Sequence, residues 1–208
     1  MDRFEKFSEE LQQIAPFTIK YKDESWEMQL LHIFAMPFCP DFLTHFTTVI
    51  GSTIYFPGRS YIQQNQDAAM RTLAHEVVHI LDMDRWTPGL FIGTYLFPQI
   101  LALGVWLFPF LGFWSLLFLL FLLPIPAPFR AYFEARGYAM DVLTAPTFHR
   151  SKVLDHAVSH FASWNYYKMF PFEEFVRNQI TRWVEKAERG EEKDLMKVLL
   201  IYELVVEE

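Results

Sequence analysis

The spacing of apolar residues changes along the chain and predicts a short run of strands followed by helices. Residues 17–21 alternate apolar and polar side chains with the two-residue period of a strand. Residues 46–56 are rich in β-branched and aromatic residues around a central glycine, which favours a strand or a hairpin. Residues 67–82 and 129–143 repeat apolar side chains with helical spacing. This order predicts an α+β fold with a mostly helical C-terminal part.

Three further segments have helical spacing. Residues 2–14 and 25–35 each suit one helix, and residues 171–208 suit two helices with a break at Arg189-Gly190-Glu191. The N-terminus has mixed charges and no apolar run of signal-peptide length, so we expect no cleaved secretion signal.

An uncharged apolar stretch interrupts this pattern. Residues 86–129, about 44 positions, contain no Asp, Glu, Lys, Arg or His. Proline and glycine at residues 108–112 break any single helix, so the stretch predicts a helical hairpin inserted into the domain. Each limb would hold about 16–18 residues and measure roughly 25 Å, against a hydrocarbon core of about 30 Å. Full spanning of a membrane and re-entrant insertion are both allowed.

The length of this stretch predicts membrane association, because usual core helices are shorter and an exposed apolar surface of this size would aggregate. A buried core hairpin and an apolar surface for a protein partner are the alternatives. The aromatic residues available for membrane interfaces are Trp86, Tyr95, Trp106 and Trp114. Arg85, Arg130 and Arg136 flank the stretch whereas its tip is uncharged, which predicts that the charged remainder of the chain lies on the cytoplasmic side.

Composition argues against two other classes of protein. The formal net charge of −7 argues against a dedicated nucleic-acid binder, which needs a basic footprint. Cys39 is the single cysteine, which rules out an internal disulfide framework and a cysteine-based zinc ribbon. A single cysteine also fits a reducing compartment.

The motif that carries chemistry lies within the helix predicted at residues 67–82. His75 and His79 are four residues apart and share one helical face, so both imidazoles can reach one metal ion. Glu76 is offset by one position and can face the metal-bound water. This is the HExxH arrangement, in which zinc activates water and the Glu acts as general base. A partly buried helix with two hydrogen-bonded histidines is the alternative.

The neighbouring residues extend this motif. The stretch Thr72-Leu73-Ala74-His75-Glu76-Val77-Val78-His79-Ile80-Leu81 resembles the signature of the zincin metallopeptidases. The resemblance covers roughly residues 46–141 without the apolar insertion. Zincins use a third protein ligand and leave the fourth position of the zinc to water. Asp82 and Arg85 stand where metzincins have Gly and His, and Phe97 stands where aspzincins have Asp, so neither pattern is met.

The remaining subclass, the gluzincins, takes its third ligand from a Glu on a later helix. Glu134 is the first acidic residue after the apolar stretch and lies on the helix predicted at residues 129–143. The resemblance therefore implies that His75, His79 and Glu134 hold Zn²⁺. Tyr138 stands where thermolysin-like enzymes have Asp, so the chain resembles a small, divergent gluzincin.

The hairpin has a topological consequence for this ligand set. It returns the chain to the side that it left, so that Glu134 can meet the two histidines at one ion. An odd number of membrane spans would place them on opposite faces. An ion pair of Glu134 with Arg130 or Arg136, both in helical reach, is the alternative.

The resemblance also implies how a peptide substrate binds. In gluzincins a strand before the HExxH helix forms the sheet edge that pairs with the substrate main chain, and residues 53–56 would take that place. The tetrahedral oxyanion of peptide hydrolysis needs a His or Tyr donor. The candidates, among which the sequence does not choose, are Tyr138, His156, His160, Tyr166 and Tyr167. His156 and His160, with His149 nearby, are alternatively further metal ligands or plain surface or core histidines.

These observations predict a membrane-associated zinc metalloendopeptidase. Its zincin-like domain would comprise residues 1–85 and 130–208, with the apolar hairpin at residues 86–129. The expected partners are a peptide or protein substrate and a lipid membrane, with no nucleic acid. One alternative is a membrane-embedded assembly or binding protein on a zincin scaffold, with structural zinc or none. Another is a membrane-disrupting protein whose hairpin inserts conditionally.

Overall fold

The computed structural model describes residues 2–36, 41–44, 46–163 and 170–207. Of these residues 73% are helical, and a small three-stranded sheet is also present, which is compatible with the predicted α+β class. It divides into two compact units, of which the first comprises residues 1–81 and 186–208 and the second residues 82–185. The boundaries that the sequence suggests, at residues 85/86 and 129/130, stay a prediction.

The sheet belongs to the first unit. It contains β1 (Thr18–Tyr21), β2 (Thr48–Ile50) and β3 (Thr53–Phe56) in the order β1-β3-β2. β1 pairs with β3 in parallel, and β2 pairs with β3 as an antiparallel hairpin. Gly51 in the hairpin turn has a φ of +58°, a conformation that glycine adopts without strain. The strand at residues 17–21 and the hairpin at residues 46–56 are thereby confirmed.

The expectation that residues 53–56 form a sheet edge is wrong. These residues are β3, the central strand, whose main chain pairs with β1 on one side and with β2 on the other. A strand that is already paired on both sides offers no row of free main-chain groups to a peptide. Its side chains Ile54, Tyr55 and Phe56 are also buried.

The other regular elements described in the first unit are helices. Its helices are α1 (Arg3–Gln12), α2 (Trp26–Ala35), α3 (Arg59–Gln64), α4 (Gln66–Trp86), which continues into the second unit, and α10 (Lys193–Glu207). α1 packs against α10, where the Phe7 and Tyr202 rings meet edge to face at 5.6 Å between centroids. The buried aromatic and aliphatic side chains of these elements form the core of this unit.

α4 carries the HExxH motif and confirms the helix predicted at residues 67–82. Asn65 caps its start, because the Asn65 side-chain oxygen accepts a hydrogen bond from the Ala68 backbone N–H at 3.0 Å. The predicted apolar face is buried, with Met70, Leu73 and Val77 fully inaccessible to solvent. Burial of one face therefore fixes the rotation of this helix about its axis.

The second unit consists of helices and 3-10 segments among the residues that the structure describes. The α-helices are α5 (Pro88–Tyr95), α6 (Phe108–Leu111), α7 (Pro128–Thr144), α8 (Arg150–Ala162) and α9 (Glu173–Glu188). The 3-10 segments are Gln99–Leu107, Gly112–Leu122 and Thr147–His149. α7 confirms the helix predicted at residues 129–143 and begins with proline, whose fixed φ suits a first helical position. α9 and α10 are separated at Gly190, as the spacing predicts.

The apolar insertion folds back on itself as a hairpin. The Gln99 side-chain amide donates a hydrogen bond to the Ile125 carbonyl at 3.2 Å, which closes the base. Within the hairpin, a Cβ on Gly104 would lie 2.4 Å from the Phe118 ring, so the two limbs pack too closely there for any side chain. The limbs are 3-10 segments of 9 and 11 residues, not the α-helices of 16–18 residues that we predicted. At about 2.0 Å per residue they extend roughly 18–22 Å.

By length and composition, Gln99–Leu122 is apolar enough to cross a membrane. The segment has 24 residues, its most apolar 18-residue window has a mean hydropathy of 2.2, and 6% of that window is buried. Its backbone nevertheless reverses at α6, since Gln99 and Ile125 are hydrogen-bonded neighbours. The apolar length is therefore present as two antiparallel limbs.

The four aromatic residues expected at a membrane interface have two different environments. Trp106 and Trp114 are 79% and 76% exposed, as an interfacial role requires. Trp86 instead packs edge to face against Phe133, with 5.5 Å between the ring centroids. The Tyr95 hydroxyl donates a hydrogen bond within the second unit. Trp86 and Tyr95 thus have partners inside the protein, and their interfacial position stays a prediction.

A buried ion pair joins the last turns of α4 to α7 in the second unit. The Arg136 Nε lies 2.9 Å from the Asp82 carboxylate, and their side chains are 0% and 1% exposed. The Arg136 guanidinium also lies over the Trp183 ring, 4.7 Å from its centroid. Arg136 is one of the three arginines from which the sequence predicts the side of the membrane. Because it is buried in an ion pair with Asp82, it offers no exposed positive charge beside the apolar hairpin.

Substitution of Arg136 by Met should reduce the free energy of unfolding by about 3–5 kcal/mol, because Asp82 would remain as a buried charge without its partner. Urea titration of the full chain in detergent, followed by tryptophan fluorescence, measures this change. The matched control is Arg177→Met, which removes an exposed pair with Asp155 and should cost no more than about 1 kcal/mol. Equal effects of the two variants would contradict a structural role for the buried pair.

Candidate metal centre

α4 presents the two histidines of the motif on its buried side. The His75 and His79 rings lie one helical turn apart, with 5.0 Å between their centroids and 71° between their planes. Both side chains are buried, at 8% and 7% exposure. Glu76, one position along, is only partly buried. The helix therefore separates two inward imidazoles from a carboxylate that retains access to solvent.

α7 presents the third candidate ligand. Glu134 is 3% exposed, which is unusual for a carboxylate without a compensating partner. The Tyr95 hydroxyl, at the end of α5, donates a hydrogen bond to Glu134 Oε1. A hydrogen bond to a buried carboxylate offsets part of the cost of removing that charge from water.

His75, His79 and Glu134 form a buried group whose ligand atoms all lie within 4.8 Å of one another. Ligand bonds of about 2.0–2.2 Å place two ligands of one zinc ion at most about 4.4 Å apart, so small side-chain rotations bring the group into range. Two imidazole nitrogens and one carboxylate oxygen suit a transition metal ion better than Ca²⁺ or Mg²⁺, which prefer all-oxygen sites. The group could therefore hold a metal ion.

Two arginines of α7 are the alternative partners expected for Glu134, and each makes another contact in the second unit. Arg136 pairs with Asp82 through a 2.9 Å contact. The Arg130 guanidinium lies over the Tyr95 ring, 5.1 Å from its centroid. The hydroxyl of Tyr95, a residue from inside the apolar stretch, is the partner that the sequence did not indicate for Glu134.

Tyr95 had no distinguishing signal in the sequence, because it stands among aromatic and aliphatic residues typical of a membrane interface. Its ring is held by Phe91, at 5.6 Å between centroids, and by Phe133 at 6.4 Å. Burial raises the pKa of Tyr95 well above its ordinary value, and the Glu134 charge raises it further. The phenol therefore stays protonated at physiological pH and remains a donor.

The candidates for an oxyanion donor have different surroundings. Burial lowers the pKa of His160, the positive charge of a protonated His156 lowers it further, and the Glu134 carboxylate opposes both effects. His160 thus lies within electrostatic range of Glu134, whereas His156 is exposed. Tyr138 packs against Phe161, with 5.4 Å between their ring centroids. Tyr166 and Tyr167 lie outside the described residues, and His149 is exposed beside Phe148.

Comparison with protein-family models, with curated proteins and with solved structures finds no match for this chain. The resemblance to gluzincins thus stays a prediction that rests on the motif and on Glu134.

Removal of any one of the three ligands should weaken binding of Zn²⁺ by at least about 100-fold, because a three-ligand site loses one of its few donors. His79→Ala and Glu134→Ala, each in the full chain, can be compared by competition with a chelator of known affinity. His149→Ala is the control, since His149 is exposed and is not part of the buried group. Unchanged zinc affinity in either ligand variant would contradict the assignment of that residue.

Proposed function

We propose that the protein is a membrane-associated zinc metalloendopeptidase of the gluzincin type. The observation that carries the proposal is the buried group of His75, His79 and Glu134, with Glu76 directly beside its first member on α4. Three protein ligands of this composition, leaving one position open, are typical of catalytic rather than structural zinc. The substrate class is a peptide or protein.

Each residue of the site has a separate chemical task in this proposal. His75, His79 and Glu134 hold the zinc ion, which supplies a readily deprotonated water and polarises the scissile carbonyl when bound. Glu76 accepts a proton from the attacking water and delivers it to the leaving amine. Partial exposure of Glu76 suits this task, because the group must reach substrate and solvent.

His160 is the best-supported donor for the developing oxyanion among the described candidates. The charge of the Glu134 carboxylate acts on the His160 imidazole, which supports this choice. Its lowered pKa favours the neutral imidazole at pH 7, which still carries one N–H donor. Removal of one such donor typically costs about 10²–10³-fold in kcat.

Glu76→Gln should retain stoichiometric zinc while cleavage of a quenched-fluorescence peptide library falls by several orders of magnitude, because the amide cannot accept the proton. Metal content is measured by elemental analysis on the same sample. Glu203→Gln, at an exposed position of α10, is the matched control and should keep wild-type cleavage.

Two outcomes of this experiment separate the proposal from its rivals. Equal cleavage by wild type and Glu76→Gln would remove the proposed mechanism. Wild-type protein that binds zinc but cleaves no peptide, or that binds no zinc at all, would favour an assembly or binding protein in the membrane.

The apolar hairpin is proposed to anchor the protein in a lipid membrane from one side. Its limbs extend roughly 18–22 Å, which exceeds half of a hydrocarbon core of about 30 Å but does not cross it. Strongly exposed aromatic and aliphatic side chains cover it, including Phe110 and Phe113 at the reversal, 84% and 81% exposed. Re-entrant insertion buries these side chains and keeps both ends of the hairpin on one side. Arg85 and Arg130 at its flanks favour the cytoplasmic side.

A cysteine introduced at Phe110, in a Cys39→Ser background, should resist a membrane-impermeant maleimide from either side of the membrane until detergent is added. The reason is that the tip of a re-entrant hairpin stays in hydrocarbon. Intact and permeabilised cells that express the full chain provide the two sides. A cysteine at the exposed Glu203 is the control and should react only after permeabilisation. Labelling at position 110 in intact cells would indicate full spanning, and labelling after permeabilisation without detergent would indicate no insertion.

A further inference from the structure

Tyr95 connects the apolar insertion to the candidate metal ligand through a side chain. Other polar side chains of the insertion bond to backbone carbonyls of the same stretch. Thr94 donates to Leu90 O at 2.7 Å, and Ser115 donates to Gly112 O at 2.8 Å. The Tyr95 hydroxyl instead donates to a carboxylate 39 residues further along the chain.

Several contacts fix the direction of this hydroxyl. The ring packs beside Phe91 and Phe133, and the Arg130 guanidinium lies over it at 5.1 Å from the centroid. Aromatic and cation–π contacts of this kind restrict the rotation of a ring. These contacts therefore hold the Tyr95 hydroxyl in a fixed position relative to the Glu134 carboxylate.

The hydrogen bond uses one of the two oxygens of Glu134. Oε1 accepts a hydrogen bond from the Tyr95 hydroxyl, and the same carboxylate belongs to the buried group that could hold a metal ion. A hydrogen bond to a metal-ligating side chain sets the orientation and the basicity of that side chain. Loss of such a bond typically weakens metal affinity by about 10–100-fold.

We propose that Tyr95 is a positioning residue for metal binding: its hydroxyl holds the Glu134 carboxylate in the orientation in which it ligates the ion. This inference rests on the proposed function, because it takes Glu134 as a ligand. It adds a role for the apolar insertion, whose base completes the surroundings of the metal site.

The test compares Tyr95→Phe with wild type in the full chain in detergent. Loss of the hydroxyl should weaken Zn²⁺ and Co²⁺ affinity by about 10–100-fold, measured by chelator competition. It should also alter the visible absorption of bound Co²⁺, which depends on ligand geometry and which a purely structural role would leave unchanged. The matched control is Tyr132→Phe, two positions before Glu134, where the ring packs against Trp183 at 5.5 Å between centroids. The control should keep wild-type affinity and spectrum.

The outcomes distinguish this inference from the proposed function. Wild-type protein without stoichiometric metal would overturn the metal site itself. Wild-type protein that binds metal and loses it in Glu134→Ala, while Tyr95→Phe keeps affinity and Co²⁺ spectrum, would overturn the inference alone. If Tyr95→Phe does not fold, site-specific difluorotyrosine at position 95 retains the ring and changes only the donor strength. It should shift metal affinity by at least about twofold, and an unchanged affinity would also overturn the inference.

Discussion

Closure of the uncharged stretch at its base is the constraint on which the second unit depends. The two ends of the stretch of about 44 apolar residues must lie close together, because residues on both sides of it contribute to one polar site. The return is fixed by the Gln99–Ile125 hydrogen bond and by the Phe97 and Phe129 rings, which meet at 6.2 Å between centroids. Because this base is closed, α5 and α7 lie side by side, and Tyr95 reaches Glu134.

α7 carries two buried charged side chains, and the interactions described for them differ in kind. Arg136 is neutralised by Asp82, and the pair is inaccessible to solvent. Glu134 accepts a hydrogen bond from a neutral phenol, which supports its negative charge but does not cancel it. In the proposed function, a metal ion held with His75 and His79 places a positive charge beside this buried carboxylate.

Most of the local structure could be predicted because its signals are local. The helices that carry His75 and Glu134 follow from apolar spacing, with Asn65 and Pro128 at their starts. The hairpin of β2 and β3 follows from β-branched residues on both sides of Gly51. Pairing of β3 with β1 was not predictable, because it joins segments that are remote in the chain, and it overturned the expected substrate-binding edge. The 3-10 geometry of the insertion also escaped prediction, since uniform apolar composition carries no helical period.

The sequence by itself determined the spacing of His75, Glu76 and His79 on one helix and the extent of the uncharged stretch, since both are properties of consecutive residues. Only the tertiary structure decided which groups surround Glu134. One hydrogen-bond donor to it is Tyr95, which the sequence offers as a membrane anchor, and Arg136, one of the two arginines expected beside it, binds Asp82. The physical reason is that the partner of a buried charge belongs to the element that packs against it. The local spacing of apolar residues does not show which distant segments pack together.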